Sequence, residues 1–228
     1  WPELVLLHMS LSSKVLYDQF VCELETKWEL DESKKIAEIV FDQLFGFSRI
    51  DIFLNKSIPQ SDERLAPILQ RLLNGEPVQY VLNHAAFFGL SFFVNSDVLI
   101  PRQETEELVA FILKENGHTL QNILDIGTGS GAIALALCIH RPKWNISAWD
   151  LSPEALDVAK RNAYQLNLTV DFRCLDILTK DPDTDQYHLI ISNPPYIPSA
   201  EKLLMAEHVV KYEPELALFV ADDHPLIF

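Results

Sequence analysis

The run Ile123-Leu-Asp-Ile-Gly-Thr-Gly-Ser-Gly131 constrains the fold more than any other stretch of this chain. An apolar strand-like segment, Asn122 to Ile126, leads straight into glycines at 127, 129 and 131, and Ala132 to His140 then reads as a helix. Such a turn must reverse sharply, leave room beside its backbone and open a helix at once, which side chains larger than hydrogen obstruct. Strand, glycine turn and helix in that order open a parallel βαβ unit.

The alternation continues on both sides. Thr105 to Lys114 has helical spacing, and Asn145 to Trp149 reads as a second strand. Ser152-Pro153-Glu154 is a helix start, with a cap, a proline at the first position and an acid in the first turn. That helix is expected to run to about Leu166. Thr169 to Cys174 and His188 to Ser192 read as the third and fourth strands. The expected fold class is α/β, an open, parallel, doubly wound sheet with its function at the carboxyl ends of the strands.

Residues 10–80 read differently, as a bundle of about four helices. Ser12 or Ser13 is expected to cap the first, which places Val15, Leu16, Phe20 and Leu24 on its apolar face. Asp31 is expected to cap the second, with Ile36, Ile39, Val40, Phe41 and Leu44 inside and Gly46 as its stop. Ile50 to Leu54 is ambiguous. Ser61 or Asp62 opens a further helix, stopped by Asn74-Gly75. Between the two regions, residues 86–100 are rich in phenylalanine and change period. Gly89 and Asn95-Ser96-Asp97 mark turns, and Val98-Leu99-Ile100 is expected to be extended before Pro101. The expected organisation is a helical domain over 1–82, a β-hairpin linker over 83–102 and an α/β domain over 103–228.

The glycine spacing is GxGxG. It is neither the GxGxxG of a dinucleotide fold nor a P-loop, since no Lys-Ser/Thr follows. A nucleoside-containing cofactor without pyrophosphate fits better than a dinucleotide or a bare structural turn. Gly127, Thr128, Gly129, Ser130 and Gly131 are therefore candidate cofactor ligands. Asp150 ends the second strand, 23 residues after Gly127, where a carboxylate can accept both hydrogens of a ribose diol. Asp125 either orients the loop or faces a cationic part of the cofactor. Asp176 and Ile177 follow the third strand, where an adenine edge and face can be met. Asp176 reads equally well as a plain turn residue.

After the fourth strand stands Asn193-Pro194-Pro195-Tyr196. Neither proline has an N–H for a ladder, so the strand stops and presents a rigid loop. The Asn193 side-chain oxygen and the Pro194 carbonyl are acceptors for a planar NH2 group, Pro195 fixes the turn and Tyr196 offers a ring to lie beside it. Two acceptors on one NH2 favour the positive charge that builds on nitrogen during alkylation, so methyl transfer to nitrogen is the chemistry that suits this loop. Arg102, Glu104 and Thr105 stand at a helix start after Pro101, and either shape a pocket lid or cap and pair. Glu213-Pro214 marks a helix or turn boundary.

Composition narrows the partners. Residues 1–80 carry 8 basic and 13 acidic side chains and residues 81–228 carry 10 and 20, so neither part has the surplus of a protein held by phosphates. Cys22, Cys138 and Cys174 lack metal-ligand spacing and a disulfide pattern, which suggests a reducing compartment. His84, His188 and His208 have no partner at metal spacing, so no metal is expected. No apolar stretch is long enough for a membrane helix. The apolar start, Trp1 to His8, lacks a basic n-region and a cleavage site, and is either extraneous sequence ahead of Met9 or part of the first helix.

Five strings together resemble the protein-(glutamine-N5) methyltransferases that modify peptide-chain release factors, the HemK/PrmC type. They are Gly75-Glu-Pro-Val-Gln-Tyr80, Val98-Leu-Ile-Pro-Arg-Gln-Glu-Thr-Glu106, Leu124 to Ala134, Ser192-Asn-Pro-Pro-Tyr-Ile197, and Tyr212-Glu-Pro214 with Ala217-Leu218. The resemblance implies a Rossmann-like class I methyltransferase sheet behind a helical substrate-recognition domain. It implies S-adenosylmethionine as donor and the glutamine of a release factor's Gly-Gly-Gln loop as acceptor, in a cytoplasmic and monomeric enzyme that does not bind nucleic acid directly. Residues 127–131 would cradle the methionine part of the donor, Asp150 its ribose and Ile177 its adenine. Asn193 to Tyr196 would hold the glutamine, with Arg102 and Glu104 beside it. The chain departs from the family at Gln103, where proline is usual. It also ends at Phe228 with four parallel strands legible, short of the seven the resemblance implies, so the sheet is expected to be incomplete and the enzyme either truncated or weakened. Two other functions compete: amino-group methylation of a DNA or ribosomal RNA base, which needs base flipping and a basic path, and a non-catalytic binding module on the same fold.

Overall fold

A computed structural model describes residues 11–58, 63–179 and 186–220. The chain divides into two compact units, Trp1–Leu82 and Asn83–Phe228.

The first unit is helical: α1 (Ser13–Leu24), α2 (Leu30–Phe45), α3 (Arg49–Phe53), α4 (Leu65–Leu73) and α5 (Val78–Leu82). A short antiparallel pair, β1 (Leu11–Ser12) with β2 (Ser57–Ile58), ties the start of α1 to the segment after α3. Ser12 caps α1, and Gly46 closes α2 in the left-handed conformation at φ 65°. The α2 N-cap is Glu29, without a side-chain bond, so Asp31 lies in the first turn instead of capping. There its carboxylate still suits the positive end of the helix. The ambiguous stretch Ile50 to Leu54 is helical through Phe53 because Ser48 and Asp51 form a reciprocal capping box. Ser61, Asp62 and Trp1 to His8 lie outside the described residues.

Phe41 centres this unit's core, with Tyr17, Phe20 and Phe45 around it in edge-to-face contacts at 5.4, 6.0 and 5.5 Å. Val15 and Ile39, expected inside, face outward at 50% and 39% exposure. The string Gly75-Glu76-Pro77 has a local role. Gly75 sits at φ 85°, and Glu76 takes the Arg71 Nε–H at 2.7 Å while Arg71 donates to the Val81 and Tyr80 carbonyls at 3.0 and 3.2 Å. The α4–α5 corner is thus closed by one guanidinium.

The second unit starts with a hairpin, β3 (Ala85–Phe87) paired antiparallel with β4 (Leu90–Phe92). Its turn is Phe88-Gly89, both at positive φ, and Val98 to Ile100 forms no strand. Phe87 and Phe92 belong to the same buried cluster as the α/β elements that follow. Next come α6 (Gln103–Glu115), β5 (Asn122–Ile126), α7 (Ala132–His140), β6 (Asn145–Asp150), α8 (Pro153–Gln165), β7 (Asp171–Cys174) and β8 (Leu189–Ser192). The third strand therefore begins at Asp171 and not at Thr169. The segment after the NPPY loop holds β9 (Ile197–Pro198), a 3-10 helix (Ser199–Leu204), α9 (Glu207–Tyr212), α10 (Glu215–Leu218) and β10 (Phe219–Val220), with β9 and β10 parallel.

The sheet order is β7-β6-β5-β8, all parallel. On β5, Ile123 and Leu124 are fully buried and Asp125 is nearly so, as expected of a central parallel strand covered on both faces. Ile126 pairs with Trp149 on one side and Ser192 on the other, and the Ser192 hydroxyl donates to the Ile126 carbonyl at 2.9 Å. The next residues along the three strands, Gly127, Asp150 and Asn193, consequently emerge at one end of the sheet.

Asn162 of α8 binds this end to the hairpin. Fully buried, it accepts the Phe93 N–H at 2.7 Å and donates to the Phe93 and Ser130 carbonyls, each at 2.9 Å. Asn162→Ala leaves these backbone groups unpaired in the interior, and is expected to destabilise the second unit by about 2–4 kcal/mol. Chemical denaturation of the variant beside wild type measures this.

Candidate active site

A cavity of about 550 Å³ opens at the carboxyl end of the sheet. Its wall includes Gly127 to Ser130 after β5, Asp150 at the end of β6, Asp176 and Ile177 after β7, and Asn193 to Pro195 after β8. Arg102, Thr105 and Pro214 also face it. Three candidates do not. Gly131 lies behind the wall, Glu104 is exposed at the start of α6, and Tyr196 points outward at 61% exposure.

The glycine loop is held by its backbone. The Gly127 and Thr128 N–H groups both donate to the Trp149 carbonyl, at 2.9 and 3.0 Å, so the β5–β6 ladder ends in a shared acceptor. Gly127 and Gly129, at φ 69° and 54°, have no atom within 4 Å of where a Cβ would stand. Gly131 differs: at φ 80° a Cβ would meet Leu135 Cδ1 at 3.1 Å and Ala159 Cβ at 3.3 Å. It is a glycine that close α7–α8 packing requires.

Asp150 locks the loop as well as facing the cavity. Its Oδ2 accepts the Gly129 N–H at 2.7 Å and its Oδ1 accepts the Ser152 N–H at 3.0 Å. A carboxylate oxygen has two lone pairs, so one remains on each atom for a diol. Asp176 has the turn role, its Oδ1 taking the Leu178 N–H at 2.9 Å, and it stands on the cavity wall.

Asp125 orients the loop from beneath. It is 1% exposed, its Oδ2 accepts the Thr128 hydroxyl at 2.7 Å, and the backbone N–H of Ala134 in the first turn of α7 also favours its charged form. Burial pushes its pKa up to about 6, against the Thr128 and Ala134 hydrogen bonds, and the charge of Asp150 adds to the rise.

On the opposite wall, the Asn193 amide donates from Nδ2 to the Thr105 hydroxyl oxygen at 3.4 Å. The start of α6 is itself anchored. Arg102 Nη2 donates to both oxygens of Glu213, at 2.7 and 2.8 Å, and the Ile100 N–H reaches the same carboxylate at 3.4 Å. Glu213 is 4% exposed, and Arg102 is its charge partner. Glu106 accepts the Phe88 N–H at 2.9 Å. Between a lid and a pairing role, Arg102 thus takes the second while still facing the cavity. Asn162 was the site-building residue least legible in the sequence. A polar side chain on the inner stripe of α8, among Ala155, Val158, Ala159 and Ala163, was its one signal.

Comparison with known proteins identifies the family. The PrmC N-terminal domain matches residues 17–82 and the Methyltransferase small domain matches residues 103–215. The Release factor glutamine methyltransferase of Bacteroides thetaiotaomicron is 42% identical over 202 residues, 87% of this chain and 72% of that protein. That of Streptococcus pneumoniae is 40% identical over 217 residues, 93% of this chain and 76% of the relative. That of Flavobacterium psychrophilum is 38% identical over 217 residues, with 92% and 76% covered. This chain belongs to the release factor glutamine methyltransferase family. The membership covers both units. The α/β unit is the family's Rossmann-like methyltransferase sheet. Among the described residues of this family member, no group of three or more His, Cys, Asp or Glu side chains could hold a metal ion, and no helix is long and apolar enough to cross a membrane. All three cysteines are free, and Cys22 and Cys174 are exposed.

The buried acid has a measurable consequence. Its folded pKa of about 6 lies above the ordinary aspartate value of 3.8. Between these values the unfolded chain loses the proton that the folded protein keeps, so stability falls as pH rises from about 4 to 6 and is fully present only below that window. The shift corresponds to about 3 kcal/mol. Asp125→Asn keeps an acceptor for Thr128 and removes the titration. The stability difference between wild type and this variant is expected to change across pH 4–6 and level off outside it, as followed by denaturant unfolding at stepped pH.

Proposed function

We propose that this protein transfers a methyl group from S-adenosylmethionine to the side-chain amide N5 of the glutamine in the Gly-Gly-Gln loop of a peptide-chain release factor. The observation that carries it is that Asn193 and Pro194 share one cavity with Gly127, Gly129 and Asp150. A nucleoside-bearing donor suits the residues present: open space before two glycines, a ribose-facing carboxylate with spare lone pairs, and Ile177 and Leu151 as apolar walls. The donor supplies a methyl group activated by a sulfonium.

The chain's own part is to hold and orient. Gly127 to Ser130 and Asp150 hold the donor, and Ile177 lies against its base. An amide nitrogen is a poor nucleophile because its lone pair is delocalised into the carbonyl. Asn193 Oδ1 and the Pro194 carbonyl accept its two hydrogens, fix its direction and favour the positive charge that develops on it. The proton leaves after transfer, so no general base with a shifted pKa is required. Pro195 keeps the loop rigid. Arg102, spanned to Glu213, borders the space where the acceptor chain enters. Glu104 and Tyr196, exposed beside the cavity, are suited to contact the release factor outside it. The acidic balance supports a protein acceptor over nucleic acid, and a release factor as substrate supports a cytoplasmic enzyme.

Labelled donor, this protein and a release factor are expected to give label on the factor, and none when its loop glutamine is replaced. Absence of label, or label on the replaced factor, overturns the assignment. Asn193→Ala is expected to lower kcat by about 10- to 100-fold while donor Kd, read by calorimetry, changes by less than about threefold. Asp150→Ala is expected to do the reverse in emphasis, weakening donor binding by about tenfold or more through loss of charge-assisted hydrogen bonds.

A further inference from the structure

We infer that the cavity selects its methyl donor over the demethylated product by charge, through a wall of carboxylates that no cation among the described residues neutralises. This rests on the proposed function, in which the cavity holds the donor. S-adenosylmethionine carries a sulfonium, an ammonium and a carboxylate, so it has one net positive charge. Its demethylated product keeps the ammonium and the carboxylate but has a neutral thioether, so it has none. Ribose, base and amino-acid groups are the same in both. A site that reads only those groups binds the two alike, whereas a field acting on total charge separates them.

Five acidic side chains stand on the cavity wall, Asp97, Asp150, Glu154, Asp176 and Glu215, against one basic side chain, Arg102. Arg102 is already matched by both oxygens of Glu213, and Glu215 is matched by Lys202. Four carboxylates are left, Asp97, Asp150, Glu154 and Asp176, with no ion pair among the described residues. Their hydrogen bonds come from neutral groups. The Asn95 amide donates to Asp97 at 2.6 Å, the Gly129 and Ser152 N–H groups to Asp150, the Ser152 hydroxyl to Glu154 at 2.9 Å and the Leu178 N–H to Asp176 at 2.9 Å. Bonds of this kind orient a carboxylate without cancelling its charge. A second feature marks the wall as a ligand surface. Ser130 is 3% exposed, yet its hydroxyl has no hydrogen-bond partner among the described residues and borders the cavity. Asp97 and Glu154 are exposed and Asp176 is half-buried. Carboxylates so open to water act on a ligand over distance, and salt screens that action.

Calorimetric Kd values of the donor, its demethylated product and a donor analogue with an amine in place of the sulfonium test this. A pH of about 7.5 keeps Asp125, with its pKa of about 6, ionised throughout. With salt raised from about 20 to about 500 mM, the Kd values of the donor and the amine analogue are expected to rise about three- to tenfold, and that of the product by less than about 1.5-fold. The double variant Asp97→Asn with Glu154→Gln keeps an acceptor for Asn95 and for Ser152 and removes two charges. At low salt it is expected to raise donor Kd by about three- to fivefold and product Kd by less than about 1.5-fold. The retained product affinity then shows that the cavity is still formed. A donor-to-product Kd ratio that salt does not move, equal weakening of both ligands in the double variant, or an amine analogue that follows the product overturns the inference and leaves the donor site standing. A wild-type protein that binds neither donor nor product overturns the donor site and the charge selection together.

Discussion

The parallel pairing of β5 with both β6 and β8 is the constraint on which the site depends. Ile126 is matched with Trp149 on one side and Ser192 on the other. Three chain segments far apart in sequence therefore reach the same edge, each ending in a residue suited to a ligand: Gly127, Asp150 and Asn193. The same ladder stops at a defined point on each strand. Gly127 and Thr128 share the Trp149 carbonyl, and beyond Asn193 the prolines have no N–H to offer.

Once the strands end, polar side chains set the backbone. Asp125 holds Thr128 from beneath, Asp150 holds Gly129 from the side, and Asn162 holds the Ser130 carbonyl from α8. A flexible glycine loop becomes a rigid cradle because each segment has a different fixed partner. Rigidity of this kind has functional value, since donors and acceptors already in place need no rearrangement when charge develops. The buried carboxyl of Asp125 is the part of this arrangement least at ease, because its desolvation outweighs the hydrogen bonds from Thr128 and Ala134. It joins loop geometry to the pH dependence of stability.

Strings that mark the family acquire separate physical meanings. Ile-Pro-Arg and Tyr-Glu-Pro are two halves of one contact, in which Arg102 and Glu213 meet across 111 residues. Gly-Glu-Pro closes a helix corner through Arg71 within the helical unit. The Asn-Pro-Pro-Tyr string divides: Asn193 to Pro195 line the cavity, while Tyr196 stands outside it.

By itself the sequence determined the elements and the chemistry class. Strand period, caps such as Ser152-Pro153, glycine at Gly46 and the proline pair act over a few residues, and they located β5, α7, β6 and α8 nearly to the residue. They also set the glycine turn apart from a P-loop by its spacing, since no Lys-Ser/Thr follows. Local signals reached less far where competing choices are chemically alike. Asp31 and Glu29 can both start a helix, and Val15 and Ile39 are as apolar as their buried neighbours. Only the tertiary structure decided that Gly131 stands in close α7–α8 packing, that Asp150 shares its oxygens with the loop, that Asn162 and Glu213 hold neighbouring backbone and side chains in place, and that Thr105 meets Asn193. The physical reason is that each of these roles is set by a partner 21 to 111 residues away or by the space left beside a backbone atom. Neither is visible until the chain has folded.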